Sequence, residues 1–205
     1  MQILSILAFV LIVITAMAIL VFRDWRIVSA ALLLQYLGAF AMVTQSWPVE
    51  IAVIKLIVGW MATAAISLTY FRRENVSLFA ETPSSFIFRS LIGLLTILVV
   101  FISAPRLQAN VFPELDLLVL QSGLMLIGLS LMQLGTTQDP FLTVVGLLSV
   151  LSGFEVIYAG LELSSLLTGL LAIVNLGLSL VGVYFIIKVG DNVSLSTKED
   201  EEEDQ

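Results

Sequence analysis

Ile3-Leu-Ser-Ile-Leu-Ala-Phe-Val-Leu-Ile-Val-Ile-Thr-Ala-Met-Ala-Ile-Leu-Val-Phe22 is a run of twenty residues without a charge. At about 1.5 Å per residue a helix of that length reaches about 30 Å, the thickness of a bilayer's hydrocarbon core. Six further, predominantly apolar runs follow near 26–45, 50–71, 86–104, 115–135, 141–161 and 165–188. Backbone surrounded by lipid must satisfy its own hydrogen bonds, and runs this long without alternating polar positions select helices over barrel strands. The sequence therefore predicts an all-α fold, a polytopic membrane helix bundle of about seven transmembrane helices over residues 1–193.

Composition agrees with that reading. Of 205 residues 59% are hydrophobic and 12% charged, with a mean hydropathy of +1.07, far from the balance of a soluble domain. The length leaves no room for a separate soluble domain. Ala16-Met17-Ala18 has the small-x-small pattern of a signal-peptidase site, but no basic residue precedes Arg23, and the segment reads as a retained helix. The net charge of -7 owes six of its sixteen acids to Glu199, Asp200, Glu201, Glu202, Glu203 and Asp204. That block, without an apolar anchor, predicts a disordered acidic cytoplasmic tail over 194–205.

Orientation follows from the cations, since Lys and Arg are retained on the cytoplasmic side. With the N-terminus outside and the C-terminus cytoplasmic, the inner loops and tail carry Arg23, Arg26, Arg72, Arg73, Arg89, Lys188 and Lys198, and the outer loops only Arg106. Arg72 to Ser85 is then the longest inner loop, and the Asn75-Val76-Ser77 and Asn192-Val193-Ser194 sequons fall on the wrong side for glycosylation. Trp25, Trp47, Tyr70 and Tyr184 lie near span ends, as interface anchors do. The lipid bilayer is the first expected partner.

The absence of Cys and His removes thiolate chemistry and the usual ligands of zinc and haem, so no cofactor, metal site or catalytic residue is expected. No basic cluster or glycine-rich phosphate loop supports binding of nucleic acid or nucleotide.

An ionisable side chain inside a span needs a partner, a wet cavity or a function. Lys55 lies in the third run and Glu155 in the sixth, each roughly 8 Å from the outer end of its helix at 1.5 Å per residue. They form a candidate intramembrane polar pair, serving either ion or proton movement or structure, or else snorkelling separately to the interface. Glu155, Tyr158 and Glu162 share one helix face climbing outward. Gln35, Asn175 and Glu162 are candidate polar lining, although neutral polar residues in spans, Gln121 and Gln133 included, commonly tie helices together. Gly38, Gly123 and Gly153 suit close helix approach.

Two stretches run in parallel from a leading Asp: Asp24-Trp-Arg-Ile-Val-Ser-Ala-Ala-Leu-Leu-Leu-Gln-Tyr-Leu-Gly38 and Asp139-Pro-Phe-Leu-Thr-Val-Val-Gly-Leu-Leu-Ser-Val-Leu-Ser-Gly153. With the spans that follow, ending Thr69-Tyr70-Phe71 and Val183-Tyr184-Phe185, they suggest a parallel repeat of 24–71 and 139–185.

The segment from Asp139 through Gly153-Phe-Glu-Val-Ile-Tyr-Ala-Gly-Leu-Glu162 to Lys188 resembles the K-subunit family of complex I. The likeness extends to that family's longer relatives in membrane-bound hydrogenases and multisubunit cation/proton antiporters, and covers the three C-terminal helices. It implies an accessory subunit of such an assembly, beside larger multispanning membrane subunits in a prokaryotic plasma membrane, and not an enzyme alone. The longer relatives carry a Glu before Asn-Gly where this chain reads Leu151-Ser152-Gly153, and another where it reads Leu167-Thr168-Gly169-Leu170. Their acids are therefore not carried over. A self-contained small ion transporter or channel, and a purely structural membrane protein, are the alternatives.

Overall fold

The computed structural model describes residues 2–71, 83–162 and 164–203. It contains seven helices: α1 Gln2–Val21, α2 Trp25–Val43, α3 Val49–Phe71, α4 Pro83–Asn110, α5 Leu117–Thr136, α6 Pro140–Leu161 and α7 Ser165–Glu203. No strand occurs among the described residues, and each of the seven helices is long and apolar enough to cross a membrane. Leu91, Leu94, Leu95 and Leu98 on α4, and Leu166, Ile173 and Leu180 on α7, are exposed. Water does not tolerate apolar surface on that scale, whereas lipid does. The chain is an integral membrane protein.

The helix starts are written in single residues. Asp24, Asp116 and Asp139 each cap a helix, accepting from Arg26 N at 2.9 Å, Leu118 N at 2.7 Å and Phe141 N at 2.8 Å. Ser164 Oγ accepts from Leu167 N at 3.4 Å ahead of α7. Arginines close two helix ends. Arg23 donates to Thr136 O and Thr137 Oγ1, both at 2.8 Å, at the end of α5, and Arg89 donates to Val21 O at 3.1 Å at the end of α1. A cation suits a helix C-terminus because the last carbonyls are unpaired and the dipole is negative there.

One expectation differs from the structure. The sequence ends the fourth run at Pro105, but α4 continues through it to Asn110. Proline removes one N–H without stopping a membrane helix whose neighbours still satisfy the backbone. The helix α7 runs on to Glu203, into the acidic segment that follows Ser194. Beyond Gly190 the segment has neither Gly nor Pro to stop a helix begun in the apolar span. Most of the Arg72–Ser85 loop, with Arg72, Arg73 and the first sequon, lies outside the described residues.

Helices α1, α2 and α3 form one row and α5, α6 and α7 a second, with α1 against α5, α2 against α6 and α3 against α7. Helix α4 packs on α1 and α5. Accordingly α6 is buried along most of its span and α4 along little of it, which makes α6 the inner helix and α4 the peripheral one. The leading acids of the two aligned stretches, Asp24 and Asp139, do the same work as caps. Their closing glycines also correspond: a Cβ on Gly38 would lie 2.8 Å from Ile12 on α1, and one on Gly153 would lie 2.8 Å from Gly123 O on α5. Each lets the second helix of its row press onto the first. Hydrogen bonds from Ser67 Oγ to Ser29 Oγ at 2.7 Å and from Ser179 Oγ to Ala62 O at 3.0 Å tie α3 to α2 and α7.

Asp139 carries a pH prediction. Burial pushes its carboxyl above the usual carboxylate range, opposed by the Phe141 and Leu142 N–H groups, by Arg23 and by the Tyr70 hydroxyl at 3.5 Å. A raised folded-state value means that the fold favours the protonated acid, so stability from this group is lost as pH rises through that range. Asp139→Asn keeps the capping oxygen without the charge and should flatten the pH profile of stability over that window. Asp139→Ala should lose the cap, about 1 kcal/mol. An unchanged slope in Asp139→Asn would show that the carboxyl does not feel its burial.

Candidate functional site

Lys55 projects from α3 and Glu155 from α6, and their side chains meet between the rows. Lys55 Nζ lies 2.5 Å from Glu155 Oε2 and donates to Ser152 O at 3.4 Å. Both residues are buried, at 7% and 6% exposure. The carboxylate contact is a close ion pair. An isolated charge at this depth would cost several kcal/mol, and pairing removes most of that cost while leaving the interior neutral.

The pair borders a cavity whose wall also includes Trp47, Tyr158, Thr168 and Asn175. It gives about 20 Å³ to the centre of a water molecule, enough for one. Asn175 Oδ1 accepts from the Tyr36 hydroxyl at 3.2 Å, and the Tyr36 ring lies against Gly59, where a side chain would collide with it. Tyr36→Phe should cost about 0.5–1.5 kcal/mol, and much less when Asn175 is already leucine, as a double-mutant cycle would measure.

Of the residues singled out in the sequence, the structure brings Lys55, Glu155 and Asn175 to one cavity. Gln35 is buried on α2 but does not border it, and its amide finds no partner in the protein. Glu162 is exposed at the C-cap of α6, at the far end of the face that begins with Glu155 and passes half-buried Tyr158. Trp47 corrects an expectation. Read as an interface anchor, it is buried at 7% exposure with its ring edge-on to Tyr158 at 6.4 Å. Its place in the α2–α3 turn, directly before Pro48, was the available signal. Tyr36 carries a signal of its own, since a tyrosine in mid-span needs a hydroxyl partner as surely as Gln35 does.

The chain matches no protein-family model, no curated protein and no solved structure. What fold and site define is a class: an integral membrane protein with seven helices among its described residues and a charged pair held in its interior.

Proposed function

We propose that the chain is an accessory membrane subunit of a complex I-like or cation/proton antiporter-like assembly, contributing to the membrane arm and not catalysing alone. The observation that carries this reading is the buried Lys55–Glu155 pair beside a cavity that admits water. A charged pair can gain or lose a proton and so change the interior charge by one, which is what a membrane arm coupled to ion movement requires. The K-subunit-like stretch of α5–α7 supports the family, and the broad apolar faces of α4 and α7 leave room for larger partners. The reading takes the N-terminus as outside, supported by Arg23, Arg26 and Arg89 at one end of the bundle and Arg106 at the other, and takes a prokaryotic plasma membrane from the family resemblance alone.

One observation favours a second reading. The two rows face each other helix for helix, as the halves of a self-contained transporter do. Reconstitution of the purified chain alone in liposomes separates the two. The subunit reading expects no cation or proton flux above that of empty vesicles; flux that disappears in Lys55→Met/Glu155→Leu would establish the transporter.

A further inference from the structure

The indole Nε1–H of Trp47 has no hydrogen-bond partner in the protein, although the residue is 93% buried by the complement of its 7% exposure. A buried donor left without a partner is costly, and folded proteins rarely leave one. Trp47 borders the same cavity as Glu155, whose Oε2 contacts Lys55 Nζ at 2.5 Å and, as a carboxylate oxygen, can accept once more. One small space thus carries an unmet donor and a carboxylate oxygen with a lone pair to spare.

The chemistry of the occupant follows from that pair. The indole can only donate and the carboxylate can only accept, so the occupant must do both. A metal cation would face the Lys55 ammonium and could take nothing from the indole. The room for a water's centre, about 20 Å³, suits one such molecule. We infer that the cavity binds a single water molecule, which accepts from Trp47 Nε1–H and donates to Glu155 Oε2. Its second hydrogen has an acceptor in Thr168 Oγ1, whose own proton is committed to Ser164 O at 3.0 Å. Three partners are usual for a buried water. Trp47 is then a positioning residue: it holds the water that connects the ion pair to the α6 face of Tyr158 and Glu162, and hence to the aqueous phase at that end. The inference rests on the pair's geometry and stands or falls apart from the assembly reading.

The test uses the full chain, labelled with ¹⁵N at its indoles, in detergent micelles. The Trp47 Nε1–H resonance is identified by its loss in Trp47→Phe. It should show a nuclear Overhauser effect to water, while Trp60, whose Nε1–H is taken by Leu33 O at 3.2 Å, serves as comparison. In Lys55→Met/Glu155→Leu the Trp47 resonance should persist and its water contact be lost. A Trp47 Nε1–H in contact with protein protons alone would overturn the site, and a water contact surviving in the double variant would remove Glu155 from it.

Discussion

Replacing Glu155 by leucine alone should destabilise the fold by about 3–5 kcal/mol, because it leaves the Lys55 ammonium buried without its counter-charge. Lys55→Met alone should do comparable damage by orphaning the carboxylate. Together the two substitutions should cost far less than their sum, since two apolar side chains of similar volume need no partner in a buried site. Unfolding of purified protein in a graded denaturing detergent measures all corners of the cycle. Additive effects would mean that the side chains act independently, each reaching solvent by its own route. The prediction discriminates because Lys55 also donates to Ser152 O at 3.4 Å, a bond too weak to replace a carboxylate.

Gly153 should be the least tolerant position tested outside the pair. A Cβ there would stand 2.8 Å from Gly123 O and 2.8 Å from Leu126 Cβ, and a backbone carbonyl cannot swing aside. Gly153→Ala should cost about 1–3 kcal/mol, and Gly153→Leu more, by prising α6 off α5. Gly169 and Gly177 meet nothing within 4 Å, so alanine there should be neutral or stabilising by about 0.5–1 kcal/mol, through lower backbone entropy in the unfolded chain. The same detergent titration checks the contrast. Equal tolerance at Gly153 and Gly177 would mean that α5 and α6 do not pack as closely as described.

The spans were legible because hydrocarbon thickness dictates length and lipid forbids unpaired backbone, which leaves hydropathy little to confuse. Lys55 and Glu155 could be picked out for a related reason: a charge in an apolar run is conspicuous, and its distance from the helix end gives its depth. Azimuth is another matter. Leucine-rich helices show nearly the same apolar character on every face, so nothing in the sequence says that α2 faces α6, that Gln35 points away from the cavity, or that Trp47 turns inward. Arg23 and Arg89 illustrate the same limit. As cations they mark a membrane side, but their closure of α5 and α1 depends on which helix ends come together in three dimensions. Tyr36 and Asn175 lie 139 positions apart, and their bond exists only once α2, α3 and α7 converge.

The proposed place of this chain inside a larger membrane assembly is tested most directly by isolating it from its native membrane in a mild detergent. The predicted result is a particle several times heavier than 22.4 kDa in which larger multispanning subunits accompany the chain through successive columns. A chain that leaves the membrane free of such partners, stable and monodisperse by itself, would contradict the claim.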